Sequence, residues 1–164
     1  MYARVNISCG LDVHKSSIAG AILKSDGTFT THQFPTTLDG LLALKDWIIA
    51  NRCERVVMEA TGIYWIPVHA ILETCVDVHV VNPLFIKYIP GRKTDTLDSV
   101  WIAEIALNGM FKASYIPSKK VRDLRDLTRT YRKLIDERTG HKNRIHKVFM
   151  RAGIRLADVL SDLF

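Results

Sequence analysis

Hydrophobic and polar residues alternate along RVNISCGLDVH (residues 4–14), which is the two-residue period of a β-strand. Two further strands are predicted at SIAGAILK (17–24) and TFTTHQF (28–34), joined by the turn residues SDG (25–27). On the first strand, Asp12 and His14 fall on the face opposite the apolar residues. The chain therefore begins with three strands that we expect to pair in antiparallel fashion.

The hydrophobic spacing lengthens after residue 37. Leucines and isoleucines recur every three to four residues in LDGLLALKDWIIANR (38–52), which predicts a helix. A buried strand is predicted at 55–62, a helix at 66–75, a strand at 76–81 that stops at Asn82-Pro83, and a helix within 93–109. The order β-β-β-α-β-α-β-α predicts an α/β fold: a mixed five-stranded sheet flanked by helices. Both the ribonuclease-H-like fold and the actin/sugar-kinase fold have this order.

The sequence changes character after Ile116-Pro117. Apolar residues recur there at near-heptad spacing in a basic background, which predicts a long helix, a helical hairpin or a coiled coil. They are Val121, Leu124, Tyr131, Ile135, Ile145 and Phe149. We predict two domains, residues 1–114 with the sheet and residues 115–164 as a basic helical extension, and we expect further sequence after Phe164.

Charge is unevenly distributed within the net charge of +6. Residues 1–111 contain nine Lys/Arg and eleven Asp/Glu, whereas residues 112–155 contain fourteen and four. A basic extension on a nearly neutral body is typical of a polyanion binder, although a solvated helix has the same pattern. No apolar run reaches the ~18–20 residues of a membrane span. The three cysteines lack CxxC spacing, so we expect a cytoplasmic protein without disulfides or a membrane partner.

Four acidic residues stand near the ends of predicted elements. Asp12 and Glu59 lie near the ends of the first and fourth strands, and Asp95 and Asp98 lie in the first turn of the helix within 93–109. If those strands are parallel neighbours, Asp12 and Glu59 lie ~4.8 Å apart at the carboxyl edge of the sheet. Each acid also has a plainer reading: Asp95 and Asp98 in a capping box, Asp12 closing a turn into His14-Lys15, and Glu59 pairing with Lys15 or Arg55.

As a group, the four carboxylates predict a divalent cation, because they repel one another unless positive charge lies between them. Oxygen ligands favour Mg²⁺ or Mn²⁺ over zinc. Two such ions ~3.5–4 Å apart can activate one oxygen of a phosphodiester and stabilise the leaving one. The sequence therefore predicts that Asp12, Glu59, Asp95 and Asp98 are both metal ligands and catalytic residues.

Three segments, together with the later basic helix, resemble the N-terminal domain of the Asp-Glu-Asp-Asp insertion-sequence transposases. They are GLDVHKSSIAGAIL, VMEATGIYW and VVNPLFIKYIPGRKTDTLDSVWIAEIAL. That group includes the Piv-type DNA invertases and the bridge-RNA-guided recombinases, and the resemblance covers about residues 5–150.

This resemblance implies a RuvC-like domain of ribonuclease-H-like fold whose acidic tetrad, Asp12, Glu59, Asp95 and Asp98, coordinates Mg²⁺. It also implies DNA and a structured guide RNA as partners and a homo-oligomer, dimer or tetramer. A nucleoid-associated location in a bacterium or archaeon and a serine-bearing C-terminal domain belong to the same expectation.

Basic residues beside the acids and along the extension are the candidate nucleic-acid contacts. Lys15 follows the first aspartate, and Lys93 belongs to the KTD block. The full set is Lys15, Lys93, Lys119, Lys120, Arg122, Arg125, Arg129, Arg132, Lys133, Lys142, Arg144 and Lys147.

Two other functions remain open on the sequence. A sugar-kinase or actin-like ATPase shares the element order, but His14 and Lys15 stand where its phosphate hairpin needs small residues. A non-catalytic RNA- or DNA-binding module would use the basic helix alone and give the acids no role.

Overall fold

The computed structural model describes residues 2–60, 62–87, 98–158 and 160, and five strands form one sheet there. The strands are β1 Ile7–Val13, β2 Ser17–Lys24, β3 Phe29–Pro35, β4 Arg55–Glu59 and β5 Asp77–Val81. Their order is β3-β2-β1-β4-β5, antiparallel from β3 to β1 and parallel from β1 to β5. This is the predicted mixed sheet of the ribonuclease-H-like, RuvC-like architecture.

Helices follow the predicted order, with one addition. They are α1 Leu38–Ala50, α2 Trp65–Leu72, α3 Pro83–Lys87, α4 Asp98–Asn108 and α5 Lys119–Arg151. The short helix α3 was not predicted. Asn82 Oδ1 accepts a hydrogen bond from the Leu84 backbone N–H at 2.9 Å, and Pro83 takes the first helical position, so this Asn-Pro pair starts a helix as well as ending a strand.

Both faces of the sheet are covered, as predicted. On one face, β1 residues such as Leu11 and Val13 pack in a cluster with Leu44 of α1 and Leu72 of α2. The other face of β1 is the polar one in the sequence, yet Ser8 and Gly10 are buried there, because α4 lies directly over them. The central strands therefore have no solvent-facing side.

The chain forms two compact units, Met1–Ile116 and Pro117–Phe164. The first, here called the sheet unit, contains the sheet and α1 to α4. The second, here called the helical unit, contains α5 and a short 3₁₀ turn at Leu156–Asp158. Helix α5 is one continuous helix of 33 residues, not a hairpin, and is about 50 Å long. No helix in the described residues is long and apolar enough to cross a membrane.

Candidate active site

Parallel pairing of β1 and β4 brings two of the predicted acids to one edge of the sheet. The last paired residues are Leu11 and Met58, so the next positions in register are Asp12 and Glu59. Adjacent strands lie about 4.8 Å apart. The structure thus confirms that these strands are parallel neighbours, with both acids at their carboxyl ends, where open α/β sheets place their sites.

Helix α4 reaches this edge because it packs unusually close to β1. A Cβ atom on Gly10 would lie 2.1 Å from the Ser99 carbonyl oxygen and 2.3 Å from the Ala103 nitrogen, so only glycine fits there. The buried Ser8 hydroxyl donates a hydrogen bond of 2.7 Å to the Ala103 carbonyl oxygen. These contacts fix the helix that carries Asp98.

Two cavities adjoin this edge, and Asp98 lines both of them. The first, of about 350 Å³, is also lined by Glu59 and Trp101. The second, of about 520 Å³, is also lined by Asp12 and Ser99, and it continues over β2 and β3. Asp98 therefore borders the space beside each of the other two carboxylates. We call Asp12, Glu59 and Asp98 the acidic edge.

The three carboxylates of the acidic edge differ in their surroundings. The Asp12 side chain is 22% exposed, and its Oδ2 lies 3.0 Å from Nε2 of the exposed His14. Glu59 is half-buried at the end of a strand that is otherwise fully buried, and Asp98 is exposed.

Asp95 and Lys93 lie outside the described residues, so the predicted tetrad is described for three of its members. Within the described residues, no group of three or more His, Cys, Asp or Glu side chains is arranged to hold a metal ion. The acidic edge nevertheless fits Mg²⁺ or Mn²⁺ in donor chemistry, because it offers carboxylate oxygens and no thiolate.

Arg55 occupies the far end of β4 and has partners of its own. It is buried, and its Nε donates to Asp77 Oδ2 at 3.1 Å while Nη1 donates to the Ala3 carbonyl oxygen at 2.8 Å. His79 Nε2 lies 2.9 Å from Asp77 Oδ1. This polar cluster ties the N-terminal segment to β4 and β5, and it gives His79 a structural role.

The candidate nucleic-acid contacts other than Lys93 are distributed over both units. Lys15 is exposed in the turn that joins β1 to β2. The other ten lie on α5, where all are exposed except Arg122 and Lys142, which are half-buried. Arg122 Nη1 donates to the Pro117 carbonyl oxygen at 3.0 Å and so helps to fix the start of α5.

Two residues that matter here were not apparent from the sequence pattern. Gly10 looked like one more position on the polar face of β1, but it determines how closely α4 approaches. Trp101 is 5% exposed and also borders the cavity beside Glu59 and Asp98. Both residues contact segments that are distant in the chain, which the local pattern does not reveal.

Fold and site define the class of the sheet unit: a ribonuclease-H-like domain with carboxylates at the carboxyl edge of its parallel strands. A family model described as "Transposase" (DEDD_Tnp_IS110) matches residues 9–153. The chain belongs to this family of DEDD transposases, as its motifs predicted, and is an enzyme of the transposase and recombinase class. Membership in this family rules out the sugar-kinase alternative.

The chain is also similar to solved structures of two resolvases. One is Thermus thermophilus RuvC in complex with a Holliday junction substrate, with 12% identity, a TM-score of 0.46, and coverage of 60% of this chain and 90% of RuvC. The other is the fowlpox virus resolvase in complex with Holliday junction DNA, with 17% identity and a TM-score of 0.38. The match covers 54% of this chain and 65% of the resolvase chain. A search of curated proteins found no match.

Proposed function

We propose that this chain is the catalytic domain of a DNA recombinase in which Asp12, Glu59, Asp95 and Asp98 hold Mg²⁺ or Mn²⁺ at a DNA phosphodiester. The observation that carries the proposal is the β1–β4 register, which sets Asp12 beside Glu59 while Asp98 lines a cavity with each. Asp95 precedes Asp98 by three residues, the spacing at which two side chains share a helical face if the helix extends that far.

The residues of the acidic edge have distinct parts in this proposal. Asp12 and Glu59 are carried by strands whose backbones are fixed by pairing on both sides, so their positions change little when a ligand binds. Asp98 is carried by a helix that packs against β1. The cation, when bound, stabilises negative charge that develops on the phosphodiester oxygens. His14 restricts the rotation of the Asp12 carboxylate through its 3.0 Å contact.

DNA is the proposed polyanion, and α5 is its proposed contact surface. Helix α5 carries twelve Lys/Arg against four Asp/Glu, and most of its cationic side chains are exposed. Contacts to phosphate give affinity without sequence recognition. A structured guide RNA and a dimer or tetramer remain predictions of the family resemblance.

Binding of Mn²⁺, followed by its paramagnetic resonance signal, tests the metal site directly. Wild-type protein should bind Mn²⁺, and Asp12→Asn and Glu59→Gln should each weaken binding by at least roughly tenfold, because each removes a ligand charge while keeping the side-chain shape. Asp46→Asn is the matched control, since Asp46 is an exposed acid of α1 on the opposite face of the sheet. Equal Mn²⁺ affinity in all four proteins would refute the metal assignment.

A recombination assay separates catalysis from simple nucleic-acid binding. Asp98→Ala should abolish strand exchange and leave DNA affinity nearly unchanged, because α5 and not the acidic edge supplies the phosphate contacts. Recombination that continues at the wild-type rate in Asp98→Ala would support the non-catalytic binding module instead.

A further inference from the structure

The indole N–H of Trp101 is a buried hydrogen-bond donor without an acceptor in the part of the chain that the structure describes. Trp101 is 5% exposed. A buried indole N–H usually has a partner, and leaving such a donor unsatisfied destabilises the folded protein. His79 Nε2 also lacks an aligned hydrogen bond, but Asp77 Oδ1 lies 2.9 Å from it. For Trp101 Nε1, no hydrogen bond to a described residue is formed.

The side chain of Trp101 lies in a buried apolar cluster. It packs with Val57, Val81, Ile86, Ile102, Ile105, Ala106 and Phe111. Two carboxylates adjoin this cluster, those of Glu59 and Asp98, which line the 350 Å³ cavity together with Trp101. Glu59 and Asp98 are therefore the residues with side-chain acceptors among those that line this cavity with Trp101.

The positions of both carboxylates in their elements bring them towards the ring. Asp98 precedes Trp101 by three residues on α4, and side chains of a helix lean towards its N-terminus, so the indole covers the turn that Asp98 begins. Glu59 follows Val57 by two residues on β4 and so shares its face of the sheet. Val57 belongs to the cluster that holds Trp101.

We propose that Trp101 is a positioning residue of the acidic edge: its Nε1–H donates a hydrogen bond to a carboxylate oxygen of Glu59 or Asp98 when these residues bind a divalent cation. This inference rests on the proposed function. A carboxylate that ligates a metal commonly uses its second oxygen to accept a hydrogen bond, which fixes its orientation. Trp101 supplies such a donor already in place, and the cost of leaving it unpaired is recovered when the cation binds.

Nuclear magnetic resonance of the indole groups tests the hydrogen bond itself. The chain has three tryptophans, so a ¹⁵N-labelled sample gives three indole N–H signals, and Trp101→Phe identifies its own by loss. Trp47→Phe and Trp65→Phe give the same assignment by elimination if Trp101→Phe does not fold. Saturating Mg²⁺ should move the Trp101 signal downfield and slow its exchange with water, while the Trp47 signal stays in place. A Trp101 signal that does not move at saturation overturns the inference.

Mn²⁺ affinity tests whether the Trp101 hydrogen bond strengthens metal binding. It also separates the proposed metal site from the proposed role of Trp101. Trp101→Phe keeps an aromatic ring but removes the N–H, and it should raise the Mn²⁺ dissociation constant by roughly tenfold or more. Trp47→Phe is the matched control, because Trp47 lies on α1, against Phe34 on the other face of the sheet, and its affinity should equal that of the wild type. Wild-type affinity in Trp101→Phe overturns this inference alone, whereas a wild-type protein that binds no Mn²⁺ overturns the metal site and this inference together.

Discussion

The sheet unit and helix α5 differ in what holds their side chains in place. In the sheet unit, residues such as Leu11 and Val57 are fully buried, and strands β1 and β4 are covered on both faces. In α5, none of the 33 residues is buried, and Leu127 and Tyr131 are 69% and 67% exposed. The backbone that carries the acids of the sheet unit is therefore held by strand pairing and packing, whereas the cations of α5 are carried by a helix with no buried residue.

This difference suits the two kinds of ligand proposed for the two regions. Ligands of a small cation must be held to within a fraction of an ångström, which requires rigid neighbours. Phosphate contacts tolerate long, mobile side chains, because much of their free energy comes from released counterions. Substitutions should therefore act through packing in the sheet unit and through charge or helix propensity in α5.

Gly10→Ala should give the largest effect, since a single methyl group there meets the backbone of α4. The Cβ would lie 2.1 Å from the Ser99 carbonyl oxygen, so α4 must move away from β1 and take Asp98 with it. We expect a loss of about 3 kcal/mol or more in the free energy of unfolding. All three tryptophans lie in the sheet unit, so their fluorescence during urea unfolding measures this change selectively.

Wild-type stability in Gly10→Ala would show that α4 is not fixed at this contact. Mn²⁺ binding gives a second measurement on any Gly10→Ala protein that remains folded. Affinity should fall there even though no carboxylate has been changed, because the helix that carries Asp98 has shifted.

Most of the sheet unit could be predicted from the sequence because its pattern is local. Alternation in RVNISCGLDVH and helical spacing in 38–52 indicated β1 and α1 with errors of up to three residues at each end. The adjacency of Asp12 and Glu59 followed from the parallel order of two buried strands. The short helix α3 was missed, because Asn82-Pro83 ends a strand and caps a helix with the same two residues.

Two features of the candidate site could not be predicted from the sequence. The close approach at Gly10 depends on residues 99 and 103, which only the folded sheet brings to β1. The unsatisfied N–H of Trp101 depends on all of its neighbours in the described residues, and an apolar helical position indicates burial without indicating which atom lacks a partner. Such features arise from packing between distant segments.

Removing positive charge from α5 should weaken DNA binding without unfolding the sheet unit. Arg125, Arg129 and Arg132 are exposed and lie on one helical face. Changing all three to glutamine should lower affinity for a duplex on the order of 100-fold at about 0.15 M salt. The slope of log affinity against log salt should become shallower by about 3, or roughly 0.9 for each phosphate that is no longer neutralised.

The matched control is Lys24→Gln, which removes an exposed charge from the sheet unit. It should leave both the duplex affinity and its dependence on salt unchanged. A wild-type protein whose affinity is independent of salt would exclude α5 as the phosphate-binding surface.

Cys9 should make the stability of the sheet unit depend on alkaline pH. Burial raises the pKa of the Cys9 thiol well above its ordinary value of 9.0, and the adjacent Cys53 thiol adds to the rise. Above about pH 9 the unfolded chain releases this proton while the folded chain keeps it. The free energy of unfolding is therefore highest below that pH and falls as the pH rises. This single thiol changes the free energy of unfolding by up to about 1.4 kcal/mol per pH unit.

Urea unfolding of wild-type protein and Cys9→Ala between about pH 8 and 10 measures this contribution. The stability advantage of the wild type over Cys9→Ala should shrink over that range, because only the wild type retains the titrating buried thiol. If the free energies of unfolding of the wild type and Cys9→Ala change in parallel with pH, the raised pKa of Cys9 is contradicted.

Gly140→Ala should give the smallest effect and the opposite sign to Gly10→Ala. Apart from the backbone of α5 itself, nothing lies within 4 Å of a Cβ at Gly140, so the added methyl group meets no obstacle and reduces the entropy of the unfolded helix. We expect a local gain of about 0.5–1 kcal/mol, which slows amide hydrogen exchange around residue 140 roughly two- to fivefold. Exchange in β1 and β4 should stay unchanged, because α5 gains its stability locally. Faster exchange around residue 140 in Gly140→Ala would mean that α5 has a packing partner there. The side chains of α5 at that position would then be held by packing, as those of the sheet unit are.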